Sequence, residues 1–120
     1  RAESYLYGAP NPYDHAIERL QRFAALGADC VYAPGPSDEA TLARLVTEAG
    51  APLNALFAVG GSLTMADAVR LGIRRVSVGG SLFRAMMGYF EATVARMVAT
   101  GELDPAGPMV ADERFDDLFG

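Results

Sequence analysis

The sequence predicts a parallel α/β fold, and three observations carry that prediction. A helix-like stretch, a glycine and a short apolar run recur three times: Ala24-Ala25-Leu26-Gly27-Ala28 before Cys30-Val31-Tyr32-Ala33, Thr47-Glu48-Ala49-Gly50-Ala51 before Leu53-Asn54-Ala55-Leu56-Phe57, and Ala68-Val69-Arg70-Leu71-Gly72 before Val76-Ser77-Val78. Gly27, Gly50 and Gly72 recur at intervals of about 22 residues, a plausible length for one βα unit. The apolar runs are short and largely uninterrupted, as expected of strands covered on both faces. Alternating helices and strands with such short links imply parallel strands joined by crossovers.

Each element has its own signals. Asn11-Pro12 marks the first helix, with an N-cap residue followed by proline where the missing N–H costs nothing. Ile17, Leu20, Phe23 and Ala24 then form an apolar stripe. Ser37 is expected to cap the second helix, with Asp38 and Glu39 in its first turn and Leu42, Leu45 and Val46 on its buried face. Ser62 or Thr64 opens a third helix through Leu71. A fourth is expected over Ser81 to Ala99, with Phe83, Met86, Met87, Phe90, Val94 and Met97 as a packing stripe. Asp104-Pro105 and Gly107-Pro108 mark a linker, and Ala111 to Phe119 a short amphipathic helix. The expected division is therefore 1–101 as the α/β segment and 102–120 as linker and helix. Arg1-Ala2-Glu3 adds the end of a fourth strand. Four such strands leave sheet edges unpaired. That leaves two solutions, a small open α/β sandwich or part of a closed barrel, which needs about 250 residues.

Composition narrows the chemistry. The chain has 120 residues, 51% of them hydrophobic, and a formal net charge of −5. The acidic balance argues against a nucleic-acid partner, and no apolar run approaches the roughly 20 residues that span a bilayer. The chain opens Arg1-Ala2-Glu3-Ser4, with no apolar leader. The single cysteine, Cys30, suits a reducing cytoplasm and is expected as a small core residue of its strand. Every basic residue is arginine, so no lysine is present for Schiff-base chemistry. His15, on a polar helix face, is expected at the surface and away from the strand ends. No cluster has metal-ligand spacing, and no Ser-His-Asp arrangement stands out.

Several pieces together resemble the isocitrate lyase / phosphoenolpyruvate mutase superfamily, in its mutase-like and methylisocitrate-lyase-like branch. They are Arg1-Ala2-Glu3, Asp14 to Gln21, Gly27-Ala28-Asp29-Cys30-Val31-Tyr32-Ala33-Pro34-Gly35, Pro52 to Leu56, and Leu71-Gly72-Ile73-Arg74-Arg75-Val76-Ser77-Val78-Gly79-Gly80-Ser81. The resemblance implies the C-terminal part of a (β/α)8 barrel of the TIM type, about four βα units, with its site at the C-terminal strand ends. It implies Mg²⁺ held by carboxylates of the N-terminal half of the same barrel, with no metal ligand in this segment. The implied chemistry makes or breaks C–C or C–P bonds of small α-keto or 2-hydroxy carboxylic acids. It further implies a homotetramer that exchanges C-terminal helices.

Arg1 matches the superfamily arginine that holds a substrate carboxylate, a role suited to a permanently charged planar fork. Glu3 lies on the same strand face and could orient Arg1 or form an ordinary salt bridge with it. Tyr32 could line the pocket or serve as a core aromatic. Pro34 and Leu56 stand where the lyase branch carries Glu and Asn, which removes two polar contacts. Asn54, an amide inside an apolar strand, is a substrate contact or a structural hydrogen bond. Gly79 and Gly80 form either an anion-binding turn or a tight turn needing small residues. The alternative to an enzyme segment is a non-enzymatic α/β module binding an anion or a protein partner.

Overall fold

The computed structural model describes residues 1–119. Its elements, in order, are α1 (Pro12–Ala25), β1 (Val31–Tyr32), α2 (Glu39–Glu48), β2 (Leu53–Leu56), α3 (Met65–Leu71), β3 (Arg75–Ser77), α4 (Ser81–Thr100) and α5 (Asp112–Phe119). The three strands form one parallel sheet in the order β1-β2-β3. Val31 pairs with Leu53 and Tyr32 with Asn54; Asn54, Ala55 and Leu56 pair with Arg75, Val76 and Ser77. The chain divides into two compact units, Arg1–Gly79 and Gly80–Gly120. The 101/102 division expected from composition falls inside the second unit, because α4 groups with the segment that follows it.

In the first unit the core lies on one side of the sheet. Val31, Leu53 and Ala55 are buried in one cluster with Leu20 of α1, Leu42 and Leu45 of α2 and Ala68 of α3. Side chains alternate along a strand, so burying these three commits the neighbouring positions to the other face. Covering that much aliphatic surface is the main drive for folding here, at about 25 cal/mol per Å² of apolar area.

The helix starts correct the sequence reading in two places and choose between its alternatives in a third. Asp38, not Ser37, caps α2: its extended backbone lets its Oδ1 accept the Thr41 N–H at 2.8 Å. That bond, with its acceptor at the positive end of the helix, holds the Asp38 carboxyl below its ordinary value. Thr64 rather than Ser62 caps α3 in a full capping box, with Asp67 reaching back to the Thr64 N–H at 2.9 Å. Asn11 does precede Pro12, but it sits at φ 47° and its side chain makes no capping bond. Arg70 also clamps α3 to α2, donating to both carboxylate oxygens of Glu39 at 2.6 and 2.8 Å.

The expected fourth strand at Arg1–Glu3 is not formed as a ladder. It contributes one bond beside β1, from the Ala2 N–H to the Tyr32 carbonyl at 2.8 Å. The chain then turns at once, with the Leu6 and Tyr7 N–H groups both donating to the Glu3 carbonyl. Cys30 is also corrected: it precedes β1 and is exposed, not a core residue.

The second unit is built differently. Gly101, at φ 77°, ends α4. The following linker returns along the helix: the Tyr89 hydroxyl donates to the Gly107 carbonyl at 3.0 Å, the Ala106 N–H donates to Thr93 Oγ1 at 3.1 Å, and Arg96 pairs with Asp104. Phe115 and Phe119 stack on α5 with centroids 6.1 Å apart. No residue of α4 or α5 is buried. The Met-rich stripe read as core packing is therefore open: Phe83, Met86 and Phe90 are each about 60% exposed. No described helix is long and apolar enough to cross a membrane.

Candidate functional site

The sheet face opposite the helices carries the polar groups. Register places Tyr32, Asn54 and Arg75 in one row across the three strands, with Leu56 and Ser77 in the next row toward the strand ends. Asn54 is only 2% exposed, and both ends of its amide are engaged. Its Oδ1 accepts from Arg75 Nη1 at 2.9 Å, and its Nδ2 donates to Ser77 Oγ at 3.1 Å. Ser77 Oγ lies 3.5 Å from the Ala55 carbonyl, to which it donates. Asn54 is thus a structural hydrogen-bonding residue between strands and, through Arg75, also the support of a cation. Its amide orientation follows from its partners, since a guanidinium can only donate.

Arg1 and Glu3 form a second cluster. Ala2 between them is fully buried, while the two flanking side chains are left partly exposed and form an ion pair. The pair borders an open groove of about 460 Å3, lined also by Ser4, Tyr7, His15 and Arg19. His15 is exposed as expected, but the expectation that it lies away from this region is corrected: α1 lies beside the Arg1 segment and brings His15 to the same groove. No hydrogen bond or ion pair among the described residues joins the Arg1–Glu3 pair to the Asn54 row.

The loops at the strand ends are tightly set. Pro34 and Pro36 are buried, and Gly35 between them has φ 126°. A Cβ on Gly35 would come within 2.5 Å of the Tyr5 Cβ, so the loop after β1 reaches the loop after Glu3 only because this residue is glycine. Gly79, the last residue of the first unit, sits at φ 53°, where an added Cβ would meet Leu56 Cδ1 at 3.4 Å. Gly80 takes the N-cap of α4, and no side chain caps that helix. Pro34 and Leu56 present no side-chain polar group, so the two lyase-branch contacts they replace are not rebuilt at those positions.

Among the described residues, no three His, Cys, Asp or Glu side chains come together as a cation site. Glu3, the carboxylate nearest Arg1 in sequence, is engaged by it. The described residues therefore offer no ready-made ligand set for a divalent metal. Sequence reasoning missed Arg75 and Ser77. Their signal was available in alternation alone: in Arg75-Val76-Ser77 the two polar residues flank an apolar one, the mirror of Leu53-Asn54-Ala55.

Comparison with known proteins agrees with the geometry. Residues 1–98 match the phosphoenolpyruvate phosphomutase family. Two uncharacterized proteins of Mycobacterium tuberculosis, from strains H37Rv and CDC 1551, are each 39% identical over 89 residues, 74% of this chain and 33% of their own length. The chain thus spans about a third of these curated relatives. A Burkholderia cenocepacia J2315 structure, provisionally described as a lyase/mutase, superposes with a TM-score of 0.84 at 35% identity, over 98% of this chain and 42% of its own. Oxaloacetate acetylhydrolase, solved with its product oxalate, shares the fold with a TM-score of 0.76 at 21% identity, over 89% of this chain and 38% of its own. With the family matched over most of its length, a sheet of three parallel strands and fold neighbours among lyases and hydrolases, the chain belongs to the phosphoenolpyruvate mutase / isocitrate lyase superfamily.

Proposed function

We propose that this chain is the C-terminal segment of a (β/α)8 barrel enzyme, a lyase or mutase acting on C–C or C–P bonds of small α-keto or 2-hydroxy carboxylic acids. The observation that carries this reading is the sheet itself: helices cover one face, and the other carries a row of polar groups. In a barrel that second face is the interior, and its C-terminal rim is the site of chemistry. Residues 1–101 supply the barrel segment, and 102–120 the linker and helix exchanged within a homotetramer. The apolar side chains of α4 and α5 left in solvent suit burial against another subunit.

Arg1 binds the substrate carboxylate through its guanidinium fork, and Glu3 holds Arg1 in place when no substrate is bound. Tyr32, Asn54, Gly79 and Gly80 shape the wall and rim. Mg²⁺, bound by carboxylates outside this chain, would supply charge neutralisation at the substrate oxygens; among the described residues no carboxylate cluster stands in for those ligands. The test is turnover by the full-length protein of oxaloacetate, phosphonopyruvate and 2-methylisocitrate, with and without Mg²⁺. Arg1→Met is expected to lower kcat/KM about 100-fold or more, since a charge-assisted bidentate contact is lost. Absence of Mg²⁺-dependent turnover of all three acids would reject the reading.

A further inference from the structure

Tyr5 is a half-buried aromatic two residues beyond Glu3, packed against the core of the first unit. It leans on the loop after β1. A Cβ added to Gly35 would stand 2.5 Å from the Tyr5 Cβ and 3.3 Å from its Cγ, so the ring and that loop meet with no room for a side chain between them. Gly35 is flanked by Pro34 and Pro36, both buried, and each proline ring fixes its own φ. The surface that Tyr5 leans on is therefore stiff.

Two contacts tie the Arg1 segment to this one stretch of chain. The Ala2 N–H donates to the Tyr32 carbonyl at 2.8 Å, and three residues further along each chain Tyr5 meets Gly35. Glu3 and the buried Ser4 lie between the two contacts. The Glu3 carbonyl accepts from the Leu6 and Tyr7 N–H groups at 3.0 and 3.2 Å, and the Ala9 N–H closes the turn on the Ser4 carbonyl at 3.0 Å. The backbone of Glu3 is thus fixed on both sides, and its carboxylate holds the Arg1 guanidinium. Burial, followed by the nearby Asp38 carboxylate, raises the Tyr5 phenol above its ordinary value, so the side chain stays neutral. The Cβ and ring make the contact with Gly35, not the hydroxyl.

Resting on the reading of the previous subsection, in which Arg1 holds the substrate carboxylate, we propose that Tyr5 is a positioning residue. Wedged against Gly35, it fixes the turn that begins at Glu3 and so sets where the Glu3–Arg1 pair stands. Tyr5 touches no substrate atom and acts only through Arg1. Recognition of a carboxylate by a guanidinium fork needs two parallel hydrogen bonds, and a displacement of about 1 Å can cost about 100-fold.

The test is steady-state kinetics of the full-length protein with whichever of oxaloacetate, phosphonopyruvate and 2-methylisocitrate it turns over. Tyr5→Ala should raise KM about 10- to 100-fold and leave kcat within about threefold, because binding of the carboxylate is what is lost. Tyr5→Phe keeps the ring and should match the wild type in both. Gly35→Ala disturbs the same contact from the other side and should raise KM in the same direction, even if Tyr5→Ala folds poorly. Leu45→Ala, which empties a fully buried core site, controls for lost stability and should leave KM unchanged. In an Arg1→Met background, Tyr5→Ala should add less than about twofold, since the two act as one unit. An unchanged KM in Tyr5→Ala, an equal rise in Leu45→Ala, or losses that simply multiply in the double variant overturn the assignment and leave Tyr5 as a packing residue. A wild type that turns over none of the three acids overturns the proposed function instead, and that absence distinguishes it from a failure of Tyr5 alone.

Discussion

The two units of this chain use a similar proportion of apolar residues to opposite effect. In Arg1–Gly79, Leu20, Leu42, Leu45 and Leu53 are almost wholly buried between three helices and the sheet. In the segment from Gly80 onward, α4 and α5 bury nothing, and Leu82, Phe90, Val98 and Leu118 are all more than half exposed. Propensity and periodicity suffice to make both regions helical, but only the first has something to pack against. The difference teaches that an apolar stripe specifies a contact without specifying its partner. A helix of 20 residues with an unburied apolar face is a surface awaiting another chain or another part of its own.

Substitutions can break the comparison from either side. Leu45→Ala should cost about 2–5 kcal/mol, because a fully buried leucine leaves a cavity. Phe90→Ala should change stability by no more than about 0.5 kcal/mol in protein diluted to a single subunit, since the ring is already in solvent. Urea denaturation of the two variants of the full-length protein reads both numbers. A cost for Phe90→Ala close to that of Leu45→Ala would mean that the second unit is packed after all.

Gly35→Ala sharpens the first unit. The positive φ and the approach to Tyr5 should together cost about 3 kcal/mol, read by the same denaturation. A neutral result would show that the loop after β1 can move away from Tyr5.

The smallest effect sits on the surface. Thr64→Ala removes the cap of α3 and should cost about 1 kcal/mol at neutral pH. The Thr64 hydroxyl is also the leading reason that the Asp67 carboxyl is held down to about 2, with Arg70 next. A carboxyl depressed in the folded state stabilises above its unfolded value near 4 and ceases to do so as pH falls through 2. The melting temperatures of wild type and Thr64→Ala should therefore differ at pH 6 and converge between pH 4 and pH 2. A gap that stays constant over that range would assign the cap to the neutral hydroxyl bond alone.

Much of the fold was legible in the residues. The Gly27, Gly50 and Gly72 repeat gave three βα units in the right order, and Thr64 and Gly101 behave as their types suggest. The caps that were misplaced, Ser37 for Asp38 and the idle Asn11, differ by one residue or by a backbone angle, which composition does not encode. The candidate site was legible only in part. Arg1 with Glu3 and the buried amide of Asn54 were identifiable as single residues. That Asn54 supports Arg75, and that His15 shares a groove with Arg1, depends on register and on where α1 lies.

What the sequence by itself determined is therefore local: periodic helices, short apolar strands, glycines where the chain must turn left-handed, and a charge set made wholly of arginine and carboxylates. The tertiary structure decided which of these residues meet. Parallel pairing set Tyr32, Asn54 and Arg75 in one row. Burying Val31, Leu53 and Ala55 against the helices turned that row to the opposite face. The physical reason is that strand alternation fixes which side chains travel together, while only the packing of helices onto one face decides which side becomes core and which is left for chemistry.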